Sequence, residues 1–148
     1  MNPDLALALE FLKGDGQPLA LTASPLQKAL KGEILQIDPG LGSAVLAFEP
    51  GAEFIQGTGV IQGGIVTTML DYALAFAALV RAPPDMSVSS ASLTVNFLKP
   101  APARRLIARG TVLRMGSRMA FVEARIGPDD TNVVATATTV MAVSPLKR

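Results

Sequence analysis

The sequence predicts an α+β chain: one long apolar helix wrapped by a curved six-stranded antiparallel sheet, with two short helices in front. Three observations carry this. The run Ile65–Val80 is apolar on nearly all sides, as a buried helix is. The elements follow in the order β-β-α-β-β-β-β, and hairpin-length connections among the last four strands argue for antiparallel pairing. The composition is 49% hydrophobic and 17% charged over 148 residues, enough for a sizeable core in one domain. A single apolar helix then has one face of the sheet to bury itself against. The chain is read as one domain over 1–148, with an N-terminal helical segment at 1–32 and a sheet-and-helix core at 33–144.

Each element has its own signal. Asn2 as N-cap, Pro3 at the first helical position and Gly14 as a stop mark the first helix. Ser24-Pro25-Leu26-Gln27 combines a capping-box pair with a first-turn proline, and Gly32 is the expected end of this second helix. Glu33–Asp38 and Ser43–Glu49 read as strands joined by the turn Pro39-Gly40-Leu41-Gly42. Residues 50–62 are irregular, and Pro83-Pro84 ends the long helix. From Ser90 to Phe97 the alternation puts Ala91, Leu93, Val95 and Phe97 on one face and Ser90, Ser92, Thr94 and Asn96 on the other. Pro100 and Pro102 break this strand. Strands at 105–115 and 119–126 flank the turn Gly116-Ser117, and Gly127-Pro128-Asp129-Asp130 leads to the last strand, Val133–Val143.

Composition narrows the chemistry. The net charge is +1 and no basic run is longer than the pair Arg104-Arg105, so no nucleic-acid footprint is expected. The N-terminus carries Asp4 where a secretory signal would carry a basic, then apolar, segment. The run Ile65–Val80 is shorter than the roughly 20 residues of a membrane span and holds Asp71, so no membrane partner is expected. The chain has no cysteine, which excludes disulfides and thiol nucleophiles and agrees with a cytoplasmic location. It has no histidine either. That removes a Ser-His-Asp triad, a histidine base and any histidine-containing zinc site, and no metal or separate cofactor is expected. Catalysis would rest on carboxylate, amide, hydroxyl and backbone groups.

Asp71 is the candidate carboxylate, because a charge inside so apolar a helix is costly unless it is paired or used. Gly63-Gly64 stand at the start of the same helix, where free N–H groups favour an anion. Together they outline a centre for acyl transfer or hydrolysis. Gly63 and Asp71 are eight residues apart, roughly 12 Å along a helix axis. If they act on one carbonyl group, the helix start of one protomer must face the Asp71 of another, which predicts an oligomer with shared sites. Blander roles exist for each residue. Thr67, one turn before Asp71, could satisfy a purely structural carboxylate. Gln56 and Gln62 could be plain loop polars, Ser90 and Ser92 a solvated strand face, and Arg114 and Arg118 exposed hairpin charges.

The segment Gly59-Val60-Ile61-Gln62-Gly63-Gly64-Ile65-Val66-Thr67-Thr68-Met69-Leu70-Asp71 resembles the core motif of the PaaI-type hotdog thioesterases, Gly-x-x-His-Gly-Gly-x-x-x-x-x-x-Asp. Val95-Asn96-Phe97-Leu98-Lys99-Pro100-Ala101, Gly116-Ser117-Arg118 and Val134-Ala135-Thr136-Ala137-Thr138 match further family segments in the right order, so the resemblance runs from about Leu35 to Val143. It implies a hotdog core and hydrolysis of an acyl-CoA thioester to an acid and free coenzyme A, which is substrate and not cofactor. It also implies site roles. Asp71 would be nucleophile or base for water, and the Gly63 N–H the oxyanion donor. Gln56 would hold water or the acyl group, and Ser90 would be a hydroxyl beside the carboxylate. No residue is assigned to the coenzyme A phosphates. An apolar or aromatic acyl group and a homodimer or homotetramer are expected.

Gln62 departs from the family pattern, since the motif has histidine there. An amide still donates a hydrogen bond but provides no titrating imidazole. The alternative to an enzyme is therefore a non-catalytic acyl-CoA-binding or regulatory hotdog protein. A hotdog dehydratase is disfavoured because it would need the missing histidine.

Overall fold

The computed structural model describes residues 1–146. Helix α1 (Pro3–Lys13) starts where the Asn2 side chain accepts hydrogen bonds from the N–H groups of Asp4 and Leu5, and Gly14 caps its end. After the short strand β1 (Leu19–Ala20) comes α2 (Pro25–Ala29), whose capping box joins Ser24 and Gln27. This helix ends before the expected stop. Lys31 turns the chain with a φ of 49°, and Gly32 is instead packed close against Leu21 and Phe48.

The remaining strands are β2 (Glu33–Asp38), β3 (Ser43–Phe48), β4 (Met86–Phe97), β5 (Leu106–Met115), β6 (Met119–Gly127) and β7 (Ala135–Pro145). They form one antiparallel sheet in the order β1-β2-β3-β5-β6-β7-β4. The count is seven where six are expected, because β1 pairs Leu19 with Ile34 and Ala20 with Glu33. A two-residue strand carries no periodicity from which to read it. The last four strands are antiparallel as expected, but β4 is not the hairpin partner of β5. The proline-containing connection at 98–105 carries the chain away, and β4 pairs with β7 over its whole length. It thereby becomes an edge of the sheet.

Helix α3 (Gly63–Arg81) lies in the concave face and buries nine residues, among them Met69, Leu70, Leu74 and Phe76. Its length and mean hydropathy of 1.6 would suit a membrane span, yet these residues form the chain's own core with Leu46, Leu106 and Ile126. The approach to β5 is close enough that a Cβ on Gly110 would overlap the Ala73 carbonyl, so that strand position needs glycine. The N-terminal segment covers another side of α3. Leu5 and Ala8 are buried, the Ser24 and Tyr72 hydroxyls lie 3.3 Å apart, and the Tyr72 ring stacks on Phe48 at 6.2 Å. One stripe of α3 is only partly covered, running through Gly64, which is exposed, and Thr68, Asp71 and Ala75, which are half-buried.

One irregularity in β4 decides the site. Ser90 pairs with Met141 and Ser92 with Val140, so Ala91 is an extra residue, a β-bulge. The buried Thr139 hydroxyl donates to the Ser92 carbonyl at 2.6 Å beside it. The bulge shifts the alternation by one. Leu93 and Val95 pack inward as expected, but ahead of the bulge the inward positions are Met86 and Val88, and with them Ser90. The expected grouping of Ser90 with Ser92 and Thr94, and of Ala91 with Leu93, is thus corrected.

Candidate active site

Inward-facing Ser90 donates its hydroxyl to Asp71 Oδ1 at 2.9 Å. Asp71 is half-buried, on the partly covered stripe of α3 and not in the core. Thr67 does not serve it, for its hydroxyl donates to the Gly63 carbonyl at 3.0 Å, and Thr68 likewise to Gly64 at 2.9 Å. Among the described residues the carboxylate therefore has one side-chain donor, from β4, and it keeps partial exposure to solvent. A carboxylate held by one hydroxyl, with lone pairs to spare, can take a proton from water or attack a carbonyl.

The second half of the site lies at the start of α3. Gln62 is the N-cap residue and offers no side-chain cap. Its carbonyl accepts from the N–H groups of Ile65 and Val66, while the N–H groups of Gly63 and Gly64 have no partner among the described residues. Free N–H groups at a helix N-terminus favour negative charge. The loop before the helix is fixed by backbone bonds, from Gln56 N–H to Val60 O at 2.9 Å and from Gln62 N–H to Phe54 O at 2.9 Å.

Gly63 forms part of a cleft of about 630 Å³, with Gln56, Val60, Val66 and Phe97 among its walls. Phe97 is 56% exposed, and its ring stands 3.5 Å from where a Cβ of Gly63 would sit. The cleft combines apolar walls with a few polar groups, as small-molecule sites do.

Four of the five expected residues fall into two sets. Gln56 and Gly63 share the cleft, and Asp71 and Ser90 share a hydrogen bond. Gln62 joins neither: it is exposed, and its side chain has no hydrogen bond among the described residues. The two sets are separated by the eight positions from Gly63 to Asp71 on one unbroken helix, roughly 12 Å. Within one chain the helix start and the carboxylate do not meet.

The model of the thioesterase superfamily matches residues 58–135. The match contains the helix start, Asp71, Ser90 and strands β4, β5 and β6. The chain belongs to the thioesterase superfamily.

It is 30% identical over 115 residues to the "Putative esterase SSO2140" of Saccharolobus solfataricus, covering 78% of this chain and 80% of that one. The structure is similar to that of a phenylacetic acid degradation-related protein of Ralstonia eutropha. The TM-score is 0.78 and the identity 27%, covering 92% of this chain and 98% of the other. It is also similar to a variant of the phenylacetic acid degradation protein PaaI of Thermus thermophilus, with a TM-score of 0.70, 26% identity and coverage of 80% and 98%. The helix wrapped by its antiparallel sheet is the hotdog fold, and the reaction class of the superfamily is thioester hydrolysis. Reading the thioesterase site from sequence missed Phe97 and Lys99, which help to wall the cleft. Their signals were position, at the point where the alternating strand gives way to prolines, and membership of the segment 95–101 that resembles the family's.

Proposed function

We propose that this protein hydrolyses an acyl-CoA thioester with an apolar or aromatic acyl group, acting as a homo-oligomer with sites composed from two protomers. The observation that carries the reading is the pairing of free N–H groups at one end of α3 with a hydroxyl-held carboxylate about two turns further along the same helix. In this reading each is half of a hydrolytic centre, and their separation supports placing the halves of one centre on different chains. Two features support assembly. Strand β4 is a twelve-residue edge, unpaired on its outer side among the described residues, and a long open edge is a template for another strand. The partly covered stripe of α3 adjoins that edge, because Ser90 joins the two. A two-fold axis beside β4 would extend the sheet and bring each helix start toward the other chain's Asp71.

In this reading the thioester oxygen lies against the Gly63 N–H. Asp71, positioned by Ser90, takes a proton from water, and the hydroxide adds to the carbonyl carbon. The Gly63 N–H holds the resulting oxyanion. Collapse breaks the carbon–sulfur bond, and the departing thiolate receives the proton from Asp71. Alternatively Asp71 adds directly to the carbonyl carbon and expels the thiolate, forming an anhydride; water then opens it, releasing the acid, regenerating Asp71 and supplying the proton that the thiolate takes up. Gln56 lies on the cleft wall where it would hold the water or the acyl carbonyl, and Val60, Val66 and Phe97 favour an apolar group.

The test is thiol release from a panel of acyl-CoAs by the wild type and Asp71→Asn. The substitution keeps shape and removes basicity, so turnover on the best substrate should fall by about 100-fold or more while KM stays similar. Near-normal turnover in Asp71→Asn would assign the residue to structure. Tight binding of acyl-CoA without turnover by the wild type would favour a binding or regulatory protein.

A further inference from the structure

We propose that Lys99 and Arg104 hold the phosphates of coenzyme A, Lys99 at the diphosphate and Arg104 at the ribose 3′-phosphate; this rests on the acyl-CoA reading above. The cleft at the start of α3 does not end at Phe97. Lys99 and Pro100 wall both that cleft and a second groove of about 390 Å³, which Arg104 also lines. The two cavities thus adjoin at Lys99 and Pro100, a path from Gly63 in the first to Arg104 in the second. The connection at 98–105 is held in place along this path. The N–H groups of Leu98 and Lys99 donate to Val134 O, the Ile61 N–H donates to Ala101 O, and Val60 bridges Pro102.

The charges along the path are unspent. Arg105 is paired with Glu33 at 2.9 Å, and Arg109 and Arg125 lie beside Asp130. Lys99 and Arg104 have no carboxylate within ion-pair distance among the described residues. Asp129 also lines the outer groove. Its carboxylate is turned onto its own turn, accepting from the N–H and hydroxyl of Thr131 and from the N–H and amide of Asn132. It is a fixed anion at the rim and not a partner for Arg104. Outward from a thioester carbonyl at Gly63, coenzyme A presents its pantetheine arm, then the diphosphate, then the 3′-phosphate. The path presents an apolar wall at Phe97, then an ammonium, then a guanidinium, and a guanidinium suits a terminal phosphate through paired N–H donors.

The experiment compares wild type, Lys99→Ala, Arg104→Ala and a control, Arg114→Ala on β5, with three thioesters of one acyl group: acyl-CoA, acyl-dephospho-CoA and acyl-pantetheine. Free coenzyme A binding is measured alongside by calorimetry. Lys99→Ala should raise KM for acyl-CoA and acyl-dephospho-CoA by about 5- to 20-fold, in the range of an exposed charge-assisted hydrogen bond. Arg104→Ala should do so for acyl-CoA alone. Neither should change KM for acyl-pantetheine or lower kcat more than about twofold, and Arg114→Ala should match the wild type throughout. Unchanged KM values in both variants, or equal increases on acyl-pantetheine, would overturn the proposal while leaving hydrolysis intact. A wild type that binds coenzyme A through Lys99 and Arg104 without turnover would keep the phosphate site and remove the hydrolase. One that neither binds nor hydrolyses would overturn both.

Discussion

Replacing Gly63 by proline removes one hydrogen-bond donor from this protein and little else. Gly63 is the first residue of α3, where proline is favoured because the N–H there has no helical partner. The preceding Gln62 has φ −55° and ψ 134°, a conformation that a following proline requires. A Cβ at Gly63 would meet the Phe97 ring at 3.5 Å, an ordinary contact. The fold should therefore gain slightly, by about 0.4–1 kcal/mol through the stiffer unfolded chain, for a rise in Tm of about 1–4 °C at this size. Activity should move the other way. If the Gly63 N–H holds the oxyanion, its loss costs about 2.7–4 kcal/mol in the transition state, or about 10²–10³ in kcat. Gly63→Ala adds the same Cβ and keeps the N–H, so it should stay within a few-fold of the wild type. The assay is kcat and KM for all three proteins on the best acyl-CoA, with thermal unfolding in parallel. A well-folded Gly63→Pro with kcat close to that of Gly63→Ala would refute the assignment of this N–H to the oxyanion.

The composite site predicts that Gly63→Pro and Asp71→Asn, each crippled alone, rescue one another. In a purified heterodimer one site carries both lesions and the other neither, so it should show about half of the wild-type turnover; a verified heterodimer with no recovery would place both groups in one chain's site or in none. Gln62→His should keep or raise turnover and add a limb to the pH–rate profile near the ordinary histidine value of about 6.5. A flat profile would mean that position 62 does not sense the reaction. Gly110→Ala should destabilise by about 1–3 kcal/mol or more, since its Cβ meets helix backbone that cannot yield without moving α3 off the sheet. Chemical denaturation reads this directly, and a wild-type midpoint would contradict the close packing of α3 on β5.

Several features could be read from the sequence because their causes are local. Asn2 with Pro3, and Ser24 with Gln27, cap helices through neighbours within three residues. The apolar run of α3 and the alternation after Ala91 follow from the 3.6- and 2-residue periods of helix and strand. The distance between Gly63 and Asp71 follows from helical rise alone, so the separation of these two groups was legible before any fold was known. Other features depend on which strands meet. The edge position of β4 arises from its pairing with β7 across the sheet, and no residue of β4 encodes that by itself. The inward turn of Ser90 depends on one unpaired residue, Ala91, held open opposite Val140 and Met141. A single inserted residue reverses the facing of every position on one side of it, and alanine gives no local sign of it. Likewise Phe97 and Lys99 reach the helix start only because the chain leaves β4 there and the loop at 98–105 is clamped to Val134 and Ile61. Sequence thus determined which groups could do chemistry and how far apart one helix holds them. Tertiary structure decided which hydroxyl meets the carboxylate and which walls enclose the helix start, because those contacts join residues that only strand pairing brings together.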